Sequence, residues 1–164
     1  MGWKRGTVVM ESKPFAHVIC QKFSEDRCNY CLKRCFRSTH SHREDWKIHK
    51  TECKIMKRVP NVPTDSIRLF LRLIIRFLKG DGKQKHPNDE SPCIRTFNDL
   101  MSHRDEIKAD QTRSELFRIA ADFVRGYTHG ILQLPSDDVL LEIFGKVIVL
   151  YLTCKHLRLS VSKK

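Results

Sequence analysis

The amino-acid sequence predicts a mainly α protein in which short N-terminal β-strands lead into a small zinc-binding module and then a helical bundle. Three observations predict this class. Residues 6–20, GTVVMESKPFAHVIC, alternate loosely in polarity; residues 28–53 concentrate cysteine and histidine; and beyond residue 60 apolar residues recur at helical spacing.

A chain of 164 residues is the size of one ordinary domain and can bury a real core. Its 31 Lys and Arg against 19 Asp and Glu give a net charge of +12, of which +8 falls in residues 1–60 and +4 in residues 61–164. That excess favours acidic surfaces, nucleic acid and nucleosomes among them, and says nothing about fold. No basic-then-apolar leader opens the sequence, and no run approaches the roughly 20 apolar residues of a membrane helix. A soluble intracellular protein without a membrane partner is expected. An odd count of 7 cysteines in a reducing compartment argues against a disulfide framework and for metal ligation by the clustered ones. Cys20, Cys93 and Cys154 read as ordinary.

Taken in order, Val8, Met10, Phe15, Val18 and Ile19 around Pro14 read as two short strands, which alone are not a stable sheet. In PNVPTDSIRLFLRLIIRFLKG, Thr64, Asp65 and Ser66 start a helix and Gly80 stops it, with Ile67, Phe70, Leu71, Ile74 and Leu78 on one face. Arg68, Arg72 and Arg76 form a stripe at four-residue spacing, read as the solvated edge of a mostly buried helix; a membrane-surface or partner-binding helix has a broader polar face. Residues 80–93 are a polar Gly/Pro loop holding a solvated His86. A short helix or turn surrounds Phe97, Leu100 and Met101. TRSELFRIAADFVRGYTHG opens with a capping box, Thr112 to Glu115, and carries Leu116, Ile119, Ala120, Phe123, Val124 and Tyr127 at helical spacing. The last helix starts at Ser136, with Asp137 and Asp138 at its positive end and Leu140, Ile143, Phe144, Val147, Ile148 and Tyr151 along one face.

Zinc takes four ligands tetrahedrally, and a Cys-x-x-Cys knuckle turns the backbone so that both thiolates reach one ion. Cys28 and Cys31 are such a pair, and His49 and Cys53, four apart on a helix, project from one face. Together they make one structural site, with Cys35, His40 and His42 as further candidate ligands. The plainer reading is a Cys-rich loop. A redox dithiol is disfavoured, because no βαβ pattern surrounds the knuckle.

RCNYCLKR and REDWKIHKTECKIMKR resemble the two ends of a MYND zinc finger, specifically that of the SMYD family of SET- and MYND-domain protein-lysine methyltransferases. KPFAHVI is similar to the strand before that finger, PTDSIRLFLRLIIRFLKG to the helix after it, and LLEIFGKVI to the late helix of the insertion that divides the SET domain. The resemblance covers roughly residues 5–148 and is strongest to the third vertebrate paralogue. It implies partial SET strands over 1–24, a shortened MYND finger over 25–58, a helical SET-insertion region over 59–152 and a basic tail over 153–164. A family finger holds two interleaved zinc sites. Here Cys28 and Cys31 match half of the first, His49 and Cys53 match half of the second, and Ser41 stands where an internal cysteine is expected. About a dozen central residues are absent, as from a skipped exon.

By the same resemblance, the glycine-rich turn that contacts S-adenosylmethionine would precede Lys4. The Asn-His-Ser-Cys segment, the catalytic tyrosine and the post-SET zinc site would follow Ile148. Retained zinc binding and protein contacts without a methyl-donor site or catalytic residues are therefore expected, His103 and His129 being exposed helix residues. Protein partners, from chromatin or proline-containing peptides, and a location in nucleus and cytoplasm are implied. The alternative is a basic zinc-dependent nucleic-acid or chromatin binder, drawn from Arg34, Arg37, Arg43, Lys47, Lys50, Lys54 and Lys57 around the finger.

Overall fold

A computed structural model of the protein describes residues 4, 6–7, 15–20, 42–59, 61, 63–83 and 96–147. Along them run α1 (His42–Met56), α2 (Asp65–Leu78), α3 (Arg104–Ala109) and α4 (Gln111–Thr128), followed by α5 over residues 137–147. Single 3-10 turns lie at Asp81–Lys83 and Phe97–Asp99. The mainly α class is thus what the described residues form, and no strand is found among them. Residues 17–20, expected as strand, carry no regular structure, and Val8 and Met10 lie outside the described residues. A strand persists where a neighbouring strand takes its carbonyls; here arginine side chains take two of them.

α2 is the centre of the bundle. Asp65 sits at its positive end, and Lys79 followed by Gly80 at φ 79° closes it where the glycine predicts. Phe70 to Ile75 are buried without a break. Six consecutive residues sweep more than a full helical turn, so no face of this stretch reaches water. Ile55 from α1, Ala120 and Val124 from α4, and Leu140, Leu141, Ile143 and Phe144 from α5 join it in one core. Phe144 meets Phe70 edge-on at 5.5 Å between centroids and Phe117 at 5.3 Å.

α4 begins one turn-signal earlier than its sequence implies. Asp110, rather than Thr112, is the N-cap: its Oδ1 accepts from the Arg113 backbone N–H at 3.0 Å. Asp110→Ala is expected to cost about 1 kcal/mol and Thr112→Ala much less, measured by urea unfolding. The apolar side of α4 also differs from the expected single face. Ala120, Ala121 and Val124 are buried, whereas Leu116, Ile119 and Phe123 stand exposed.

Asp137 and Asp138, expected to serve the start of α5, also tie it to its neighbours. Asp138 accepts from Arg104 at 2.8 Å and from Lys108 at 3.4 Å, and Asp137 accepts from Arg125. Further along, Lys146 is buried, donating to Glu142 Oε1 at 2.6 Å and to the Asn98 carbonyl at 3.0 Å. Beside it Gly145 lies so close to the preceding loop that a Cβ there would stand 1.6 Å from the Ser102 carbonyl oxygen. Backbone cannot yield as a side chain does, so Gly145→Ala should destabilise by about 3 kcal/mol or more, read from the same unfolding curves. Ile148 and Tyr151 lie outside the described residues.

Candidate metal centre

Two rows of α1 bear on the candidate site. Ile48, Glu52 and Ile55 recur at helical spacing and face the bundle, with Glu52 and Ile55 fully buried and Ile48 packed against the core. His49 and Cys53 occupy the next ridge, turned about 100° from the first. Cys53 is a free, half-buried thiol, and His49 is described as a helical position. Cys28 and Cys31, the other two predicted ligands, lie outside the described residues, as do Cys35 and His40; His42 is the first position of α1. Among the described residues no three His, Cys, Asp or Glu side chains gather around a common point.

An imidazole and a thiol one turn apart on a helix are the donor types of half a structural zinc site. The Glu52 carboxylate, in the row that faces the bundle, is already held. Both Glu52 oxygens face guanidinium groups: Oε2 accepts from Arg72 Nε at 2.8 Å and lies 2.7 Å from Arg72 Nη2, and Oε1 is 3.4 Å from Nε and Nη2 of Arg68.

The arginine stripe of α2 is therefore not a solvated edge. Arg72 is 3% exposed and Arg68 13%, against 2% for Glu52. The burial of α2 on every side explains the difference: a cation at position 72 has no route to water and must be paired where it stands. Beyond Glu52 the same arginines grip residues 15–19. Arg68 Nη1 donates to the Ile19 carbonyl at 3.3 Å, and Arg72 Nη1 donates to the His17 carbonyl at 3.0 Å. The Arg76 guanidinium lies 4.7 Å from the centroid of Phe15, which stacks on Phe97 at 4.4 Å, and its Nε donates to Asp81 at 3.1 Å.

The spacing accounts for the match. Four residues of helix advance about 6 Å, and two residues of extended chain about 6.6 Å. Residues 15, 17 and 19 thus meet arginines 76, 72 and 68 in antiparallel order. Sequence reasoning missed Glu52. Its signal was an acid in core register on one apolar helix, facing a basic repeat on another.

Of the two histidines expected to be exposed helix residues, only His129 is exposed, and both flank helices rather than lie within them. His103 precedes α3 at a left-handed φ of 51° and is half-buried, while His129 is exposed at the C-terminal end of α4. No described helix is long and apolar enough to cross a membrane.

No family model matches the chain. Individual proteins do. SET domain-containing protein 14 of Caenorhabditis elegans is 30% identical over 122 residues, covering 74% of this chain and 26% of that protein. Histone-lysine N-methyltransferase ASHR1 of Arabidopsis thaliana is 29% identical over 168 aligned positions, covering 88% of this chain and 32% of that protein. N-lysine methyltransferase SMYD2 of Bos taurus is 21% identical over 157, covering 87% and 35%. The chain thus spans about a quarter to a third of the length of these relatives. Along most of its length, then, the chain is related to the SMYD family of SET- and MYND-domain proteins.

Proposed function

We infer that residues 1–164 are the metal-binding and protein-contact portion of a SMYD-type lysine methyltransferase, and do not by themselves hold the methyl donor. The observation that carries this is α1: it sets His49 and Cys53 one turn apart, on a ridge separate from the one Glu52 fastens into the bundle. Cys28, Cys31, His49 and Cys53 would hold one zinc, and the ion would supply a structural cross-link without an open catalytic position. His49 must be neutral and the three thiols deprotonated to serve as ligands, so acidification releases the metal.

Methyl transfer needs an amine and a methyl donor held in near-attack geometry. On this reading the glycine-rich turn and the Asn-His-Ser-Cys segment that the family resemblance implies for this fall outside the stretch from Lys4 to Ile148. Protein partners, from chromatin or proline-containing peptides, and a nuclear and cytoplasmic location belong to the same proposal. Calorimetric titration with S-adenosylmethionine, followed by labelled methyl transfer to histone, tests it. Neither binding nor transfer is expected from this chain, and measurable transfer overturns the reading.

One observation favours a second reading. Lys50, Lys54, Lys57 and Arg58 are all exposed at the C-terminal half of α1 and just past it, a basic row able to meet phosphates. Duplex binding that falls steeply with added salt would support it, and no duplex binding at low salt would remove it.

A further inference from the structure

The outer side of α4 is unlike an ordinary solvent face. Leu116, Ile119 and Phe123 are 52%, 41% and 51% exposed, and Phe123 stacks on Tyr127 at 6.1 Å. They form one row with Tyr127, beside an open groove of about 520 Å³ lined by Val59, Ile119, Phe123, Gly126 and Tyr127 with Arg118 and Asp122 at its edge. A second row runs alongside, made of Glu115, Arg118, Asp122 and Arg125 at the same helical spacing. Within the chain Arg118 bonds Glu115 at 2.6 Å and approaches Asp122 at 3.5 Å, and Arg125 bonds Asp122 at 2.7 Å and also reaches Asp137 at the start of α5. The hydrogen bond from Arg118 holds the Glu115 carboxyl below its ordinary range, so it is charged at neutral pH.

We propose that this face of α4 is a self-association surface on which a second copy of the chain docks with its own α4 antiparallel. The order of charges selects that occupant. Read forward, the row is minus, plus, minus, plus; read backward, it is plus, minus, plus, minus. Laid antiparallel with Glu115 opposite the second copy's Arg125, every charge meets its opposite: 115 with 125, 118 with 122, and the two reciprocal pairs. A parallel copy in register would set like against like, which disfavours that arrangement.

In the antiparallel register the apolar rows also meet. The second copy's Leu116 comes level with Phe123 and Tyr127, where the groove is, and Gly126 presents no side chain to hinder approach. The chain as a whole carries +12 and repels its own kind. A face whose charges cancel locally is where two copies can come together.

Sedimentation equilibrium of the purified chain tests the pairing. A concentration-dependent mass rising to twice 19.3 kDa is expected. Arg118→Asp and Asp122→Arg, both at exposed positions, each place two like-charged contacts in the dimer and should each weaken it about tenfold or more. Mixing the two variants should restore it as a heterodimer, because Asp at 118 then faces Arg at 122 and Asp122 faces Arg118. A wild-type chain that stays at single-chain mass overturns the proposal. So does a dimer that ignores both reversals, or two weakened variants that do not recover on mixing.

Discussion

Glu52→Ala is expected to lower the unfolding free energy by about 3–5 kcal/mol, the usual consequence of removing one partner from a buried ion pair. Glu52 and Arg72 are both almost wholly withdrawn from water, and Glu52 faces Arg68 as well. Deleting the carboxylate removes the Glu52 counter-charge from a guanidinium that stays buried. The attraction between the partners is not what sets the magnitude; the burial of the remaining cation is. A double variant, Glu52→Leu with Arg72→Met, should therefore recover much of the loss, since well-packed apolar groups of similar volume often match a buried pair. Urea unfolding followed by circular dichroism reads both. Loss of the pair should also free residues 15–19, whose His17 carbonyl is held by Arg72. If Glu52→Ala costs less than about 1 kcal/mol, the pair is not the tie between α1 and α2 that its burial implies.

Removing zinc is the second large effect. Structural zinc in finger peptides contributes about 10–16 kcal/mol of binding free energy near neutral pH, which is folding free energy for the module that holds it. Chelation of the zinc-loaded chain should accordingly abolish hydrogen-exchange protection around His49 and Cys53. Protection should fall less in α4 and α5, which pack through Val124, Leu140 and Phe144 and have no ligand of their own. Glu52 connects the two responses, being one residue from Cys53 and bonded to the central helix. Cys53→Ala should mimic chelation at α1. Unchanged α1 protection after chelation would mean that the helix stands on its bundle contacts alone.

Much of the fold was legible because local chemistry and tertiary context agree. α2 starts just after Thr64, whose side chain makes no capping hydrogen bond, and is closed by Gly80 in the left-handed conformation a stop glycine predicts, while Phe144 and Leu140 sit in the core as their spacing requires. The misreadings share a cause. Arg72 looks solvated in sequence because arginines usually are, and only the packing of helices on every side of residues 70–75 makes it buried. Asp110 outcompeted Thr112 as the cap because α3 ends one residue earlier and delivers it there in extended conformation. α4 reads as one broad apolar face because periodicity records which residues are apolar, not which side has a neighbour. Of the metal site, the His49 and Cys53 spacing was legible from helical geometry alone, and Cys28 and Cys31 lie outside the described residues.

Native mass spectrometry of the zinc-loaded chain tests the central claim most directly, that Cys28, Cys31, His49 and Cys53 make a single composite site. One zinc per chain is predicted, lost in the Cys53→Ala variant. Two zincs per chain, or none, would contradict it.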